Sequence, residues 1–289
     1  MNFKDTFFSG KLTINCQGRI IDLSVPKVMG ILNITPDSFY DGNRYLNEQD
    51  VISKVSEMLT DGADIVDIGA CSSRPGAAEI TADVEKSRLK MALQVIRREF
   101  PHAFLSVDTY RSDIAEYVVK EFGTDMINDI SAGLLDNQML SIVGALKVPY
   151  IMMHMQGIPQ SMQVNPVYTD IVKELITFFA VRAAAANQAG IMDVVIDPGF
   201  GFGKTLHHNF QLLKELGLFK LLSLPILVGL SRKSMIYKSL DTVPGEALNG
   251  TTVLNTLALN NGANLLRVHD VKEAIEAVKL LTIYEHTGK

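Results

Sequence analysis

Three observations predict one α/β domain folded as a (β/α)8 TIM barrel with a β-hairpin ahead of it. Eight short apolar runs each end in a polar side chain, helix-length segments separate most of them, and 289 residues suit a fold that commonly needs roughly 250. The runs are Val28–Leu32 before Asn33, Ile65–Val66 before Asp67, Phe104–Val107 before Asp108, and Met126–Ile127 before Asn128. Tyr150–Met153 before His154, Met192–Ile196 before Asp197, Ile226–Leu230 before Ser231, and Leu265–Leu266 before Arg267 complete the series. Asp197-Pro198-Gly199 alone also describes an ordinary turn in which Asp bonds its own backbone, so recurrence carries the argument. A doubly wound sheet is the second choice, but it gives no reason for every strand to end in a polar group aimed at one place.

Residues 11–25, KLTINCQGRIIDLSV, read as a hairpin turning at Gln17-Gly18 and closing the amino-terminal mouth of the barrel. Pro36, Asp37, Ser38 and Gly42 break regular structure in NITPDSFYDGN, 33–43, leaving a loop that carries Phe39 and Asp41 over the strand ends. A helix follows from Asp50 to Asp61, stopped at Gly62, and then a second loop, Ala70 to Ala78. Its Ser72, Ser73, Arg74 and Gly76 are phosphate-binding types, although Ser, Pro and Gly also populate plain turns. Further helices are expected over Ala82–Glu99, Ser112–Lys120, near Asp136–Leu146, and over Asp170–Ala189 with Gly190 behind it. A helix begins at Lys233, and Asp270 with Glu273 resembles a capping box for the last one. No linker or repeat divides the chain, so residues 1–289 are read as one domain.

Composition excludes several classes. With 47% hydrophobic and 20% charged residues the chain buries a large core, and no apolar run reaches the roughly 18 residues that span a bilayer. The start lacks a signal peptide's long apolar segment, which argues for a cytoplasmic protein without membrane partners. A net charge of −5 argues against a nucleic-acid surface, so an anionic ligand must meet local cations. Two cysteines, Cys16 and Cys71, give neither a disulfide framework nor metal spacing, and both are read as reduced, inert thiols. His154, His207 and His208 likewise lack zinc spacing, and a hydrogen-bonded structural histidine is the better reading. GFGFGKT, 199–205, fails as a nucleotide loop: Pro198 stands where a P-loop needs Gly, and Lys204 where the dinucleotide fingerprint needs it.

What remains is concentrated at strand ends. Ser231-Arg232-Lys233-Ser234 lies where a strand gives way to a helix, suited to an anion such as a carboxylate. Arg267 and His269 alternate at the eighth strand's exit and offer donors to a diphosphate, while Asp108, Asn128 and Asp197 suit a ring bearing several N–H donors and acceptors. The expected pocket is acidic and polar at depth and cationic at its rim.

Taken in order over residues 28–270, NITPDSFYDGN, DIGACSSRPGA, SVDT, INDIS, MHMQG, DPGFGFGK, VGLSRKS and RVHD resemble the motifs of the dihydropteroate synthase family. That resemblance implies a transferase of folate biosynthesis joining a dihydropterin diphosphate to 4-aminobenzoate with Mg²⁺ as cofactor. It implies pterin binding by Asp108, Asn128, Asp197, Lys233 and Arg267, and diphosphate binding by Asn33, Ser73, Arg74, Arg267 and His269, with Asn33 also the metal ligand. Phe39, Pro75, Phe200 and Ser234 would take the aminobenzoate, and Asp41, Arg74, Asp108, Asp197 and Lys233 would carry the chemistry. A homodimer joined near Val253–Leu259 and small-molecule substrates are further implications. Cys71 and Ser73 depart from the family's usual Glu and Thr in the second loop; the Ser keeps the hydroxyl. Two rivals are a pterin-binding methyltransferase barrel, which would lack NITPDSF and SRKS, and a non-catalytic paralogue, which would lack Asp41 or Arg74.

Overall fold

A computed structural model describes residues 12–35, 47–71, 80–158 and 162–287. The expected hairpin is present as β1 (Thr13–Cys16) and β2 (Arg19–Asp22), and Gln17 and Gly18 turn it with φ of 54° and 91°. Eight parallel strands follow: β3 (Lys27–Asn33), β4 (Ile65–Gly69), β5 (Phe104–Asp108), β6 (Met126–Asp129), β7 (Tyr150–Met153), β8 (Val194–Asp197), β9 (Leu227–Val228) and β10 (Leu265–Val268). They pair in the order β8-β7-β6-β5-β4-β3-β10-β9, and an Ile196–Ile226 bridge brings the two ends together. Helices α1 (Glu48–Thr60), α2 (Ala82–Glu99), α3 (Ser112–Phe122), α4 (Met139–Leu146), α5 (Ile171–Gln188), α6 (Leu206–Lys214), α8 (Leu248–Asn260) and α9 (Val271–His286) surround the sheet. A single-turn α7 (Ser234–Tyr237) precedes α8. The sequence's fold class is therefore the observed one: a nearly closed (β/α)8 barrel behind a hairpin.

Because strand side chains alternate between faces, each strand contributes to two cores. Val28, Val66, Leu105, Ile127, Met152, Ile196, Val228 and Leu266 face out and pack with the helices in one large core. Met29, Ile65, Phe104, Met126, Ile151, Val195, Leu227 and Leu265 face in and pack with Ile14, Cys16, Ile21 and Leu23 of the hairpin. This second cluster is an apolar floor closed from the amino-terminal side. Burial there pushes the Cys16 thiol up to about 12, so it is unreactive. Two residues further along the same strands, on the same face, come Ile31, Asp67, Ser106, Asn128, Met153, Asp197, Gly229 and Arg267. The polar residues thus occur in the barrel's interior above an apolar base.

That layering corrects several boundaries. Asp67, Asn128 and Arg267 do not terminate strands but lie within β4, β6 and β10, pointing inward. Strand β8 begins at Val194, not Met192, which is 71% exposed in the connection after Gly190. Strand β9 is two residues long: Pro225 has no N–H to pair, and beyond Leu230 the chain turns through Arg232 at φ 52°. Helix α1 starts earlier than expected because Asn47 and Asp50 form a capping box, and α4 starts later because the Asp136 carboxylate accepts from the N–H of Ser112 and Gln138 in a turn. The capping box expected at Asp270 is absent, since that carboxylate is engaged by Arg232 at 2.8 Å and 3.0 Å. Among the described residues no helix is long and apolar enough to cross a membrane.

Candidate active site

Arg267 organises the inner polar layer. From β10 its Nε donates to Asp67 Oδ2 at 2.7 Å and its Nη2 to Asp108 Oδ2 at 2.8 Å, so one guanidinium joins two carboxylates on neighbouring strands. Asn128 Nδ2 donates to the same Asp67 oxygen at 3.2 Å. Asp197, at the end of β8, is buried, and its Oδ1 accepts from the Gly199 N–H at 2.7 Å, the local bond an Asp-Pro-Gly turn provides. Both things hold for Asp197: it makes the turn, and it lies on the inward face of β8.

The glycines behind Asp197 serve packing. A Cβ on Gly199, at φ 70°, would meet the His154 carbonyl at 2.0 Å, and one on Gly203 would meet the Gln156 carbonyl at 2.6 Å. They let this loop lie against the segment leaving β7. Lys204 fastens it: its Nζ is within 2.9 Å of the Phe202 carbonyl, 3.2 Å of the His154 carbonyl and 3.1 Å of His154 Nδ1. Burial and the adjacent Lys204 hold the His154 imidazole down at about 2, so it stays neutral, as a structural histidine should.

Lys233 reaches the site from the start of α7. Its ammonium donates to the Phe200 carbonyl and stands 4.9 Å from the Phe202 ring centroid. Gly229 lies beside both cations, since a Cβ there would stand 3.9 Å from Lys233 Nζ and from Arg267 Cβ, in ordinary contact. Burial lowers the Lys233 ammonium to about 8 despite the opposing charge of Asp197. Asp108 moves the other way: burial, reinforced by Asp67, Asp129 and Glu85, outweighs Arg267 and pushes it up to about 7. Burial also raises Asp197, against the pull of Lys233. His269 is tied to Ser231, Nδ1 lying 3.1 Å from Oγ and its backbone N–H 3.2 Å.

The structure places Asp108, Asn128, Asp197 and Arg267 on the inward strand faces with Lys233 reaching them from the start of α7, while Asn33 ends β3, His269 follows β10 and Ser234 opens α7. Phe200 requires correction. Its ring is fully buried in the outer core, so its carbonyl rather than its aromatic face serves the site, holding Lys233. Arg232 is likewise committed elsewhere, to Asp270 and the carbonyls of Pro244 and Gly245, which leaves Lys233 as the cation of that motif directed to the site. Phe39, Asp41, Ser73, Arg74 and Pro75 lie outside the described residues. Cys71, at the edge of the second loop, is 3.7 Å from Arg111, while burial and Glu85 raise its thiol, in keeping with an inert role. Sequence reasoning missed Asp67 and Lys204 as parts of this arrangement. Asp67 belonged to the strand-end series, but nothing in its local sequence distinguished an inward carboxylate bonded to two site residues from a turn former.

A cleft with acceptors at Asp108, Asp197 and Asn128, and donors at Lys233, Arg267 and His269, is matched to a polar heterocycle carrying an anionic substituent. Comparison with known proteins agrees. Residues 29–269 match the family described as pterin binding enzyme. The chain is 42% identical to the dihydropteroate synthase of Escherichia coli (strain K12) over 267 residues, 92% of this chain and 94% of that one. It superposes on the Yersinia pestis dihydropteroate synthase, solved as a sulfonamide drug complex, with a TM-score of 0.90 and 38% identity, covering 94% of this chain and 99% of that one. The Xanthomonas albilineans dihydropteroate synthase solved with 4-aminobenzoic acid gives 0.86 and 36%, covering 96% and 99%.

Proposed function

We infer the roles of individual residues from the premise that this chain belongs to the dihydropteroate synthases, pterin binding enzymes that join a dihydropterin diphosphate to 4-aminobenzoate. The single observation that carries the assignment is the buried Asp67–Arg267–Asp108 array beside Asn128 and Asp197. In this reading Asp108, Asn128, Asp197, Lys233 and Arg267 hold the pterin, whose amino group and ring N–H groups complement carboxylate and amide oxygens. His269, Arg267, Asn33, Ser73 and Arg74 take the diphosphate. Phe39, Pro75 and Ser234 take the aminobenzoate.

Reaction breaks the C–O bond between the pterin methylene and diphosphate, forms a C–N bond to the aminobenzoate amine, and releases one amine proton. Departure of diphosphate from an electron-rich dihydropterin leaves a delocalised cation, which the Asp108 and Asp197 carboxylates stabilise in a site screened from water. That suits a weak amine nucleophile. Asp41 and Arg74 are assigned to closing the two loops over the bound pterin.

Mg²⁺ is compatible with these residues in a limited way. Among the described residues no cluster of three His, Cys, Asp or Glu side chains forms a metal cage, and Asn33 offers one hard oxygen at the mouth, where a Cβ on Gly69 would lie 3.2 Å from its Oδ1. A cation that keeps waters and binds substrate phosphates needs little more from the protein. When bound it would neutralise charge on the leaving diphosphate. A homodimer is supported by exposed apolar residues on the packed pair α8 and α9, including Val253, Leu257, Leu280 and Ile283.

The assignment is tested by incubating purified protein with both substrates and Mg²⁺: dihydropteroate and diphosphate are expected in equal amounts, with inhibition by a sulfonamide relieved by 4-aminobenzoate. Absence of product would refute it. The pH dependence follows from two of the site groups. Asp108 must lose its proton to accept a bond and Lys233 must keep its proton to donate one. Thus kcat/KM for the pterin diphosphate should rise through about 7 and fall beyond about 8. A profile flat from pH 6 to 9 would contradict these roles.

A further inference from the structure

Asp67 is entirely buried, and only one of its two carboxylate oxygens is hydrogen-bonded. Oδ2 accepts both Arg267 Nε and Asn128 Nδ2, whereas Oδ1 has no hydrogen-bond partner among the described residues. Beside it on β5, in register, the buried Ser106 hydroxyl is also unpartnered. Leaving acceptor capacity unused in the interior is costly. Arg267 already has a second counter-charge in Asp108, so charge balance alone does not account for the bond from Asn128.

An ionised carboxylate only accepts, so the amide of Asn128 can meet it only through Nδ2. That consumes one amide proton and prevents the flip that would exchange oxygen and nitrogen. Oδ1 and the second Nδ2 proton remain for a ligand, in one fixed order of acceptor and donor. The same oxygen holds Nε of Arg267 and, with Asp108, sets the plane of the guanidinium. Building on the pterin reading above, we propose that Asp67 is a positioning residue, which reaches the pterin through Asn128 and Arg267 and fixes which of their atoms face the heterocycle.

The test is a kinetic and binding cycle on the full chain with Asp67→Asn, Asn128→Ala and the double variant. Asp67→Asn keeps the shape but removes the obligate acceptor. It is expected to raise KM and Kd for the dihydropterin diphosphate about 10–100-fold, the loss of a charged hydrogen bond. KM for aminobenzoate at saturating pterin should stay within about twofold, because its site is built from other residues. General loosening of the barrel would move both constants. The double variant should bind much better than the product of the single losses predicts, because Asp67 acts in part through Asn128. If Asp67→Asn does not fold, Asp67→Ser, which keeps a hydroxyl acceptor and removes the charge, is read in the same cycle. A Kd within twofold of wild type, equal changes in both KM values, or fully multiplicative losses would overturn the proposal. Failure of the wild-type chain to bind the pterin would instead refute the underlying assignment.

Discussion

Replacing Arg267 with methionine is expected to cost about 3–5 kcal/mol of stability near pH 8 and to abolish pterin binding. Methionine fills much of the space but leaves Asp67, fully buried, and Asp108, largely buried, without their shared cation. Protonation offers an escape that depends on pH. Asp108 already sits at about 7 with Arg267 present. Without that guanidinium its pKa rises further, so the variant is penalised most where Asp108 would have to be charged, and its deficit shrinks as pH falls toward 5. Urea unfolding of both proteins at pH 5 and pH 8 measures this. A deficit that is the same at both values would mean that Arg267 contributes packing rather than charge compensation.

Asp197→Asn should have the opposite character, with binding lost and the fold kept. An Asn side chain retains an oxygen for the Gly199 N–H, so the turn after β8 survives. The negative charge facing Lys233 and any cationic edge of the pterin does not. The lost charged hydrogen bond is worth on the order of 1.5–3 kcal/mol, about 10–150-fold in Kd for the pterin. Calorimetry with the dihydropterin diphosphate, alongside a melting curve, checks both halves. An unfolded variant with normal affinity in its folded fraction would make Asp197 a turn former only.

The contrast between these substitutions also explains what could be read before any coordinates. Strand alternation over an apolar floor makes Asp108, Asn128, Asp197 and Arg267 fall at recurring places in the sequence, and the barrel follows from the same pattern, while the hairpin is legible from the turn at Gln17-Gly18. What the pattern lacks is direction. Asp67 appears in a short run like the others, but its partners are 61 and 200 residues away, and only closure of the sheet brings Asn128 and Arg267 to one of its oxygens. Phe200 shows the converse: the family resemblance implies a place against the aminobenzoate, and its ring instead fills the core between sheet and helices. Arg232 and Asp270 suggest, one by one, an anion site and a helix cap, and in space they satisfy each other. Long-range pairing between polar side chains accounts for the differences at Asp67, Arg232 and Asp270, and apolar packing for the one at Phe200.

If the proposed assignment holds, the pterin fills the barrel interior and the aminobenzoate site, to which Phe39, Pro75 and Ser234 are assigned, is complete only once pterin and diphosphate are bound. The direct test is calorimetric binding of 4-aminobenzoate to the protein alone and to the protein saturated with a pterin, diphosphate and Mg²⁺. Binding is expected in the second case and none measurable in the first. Equal affinity in both would contradict the assignment, because the aminobenzoate site would then exist without the pterin.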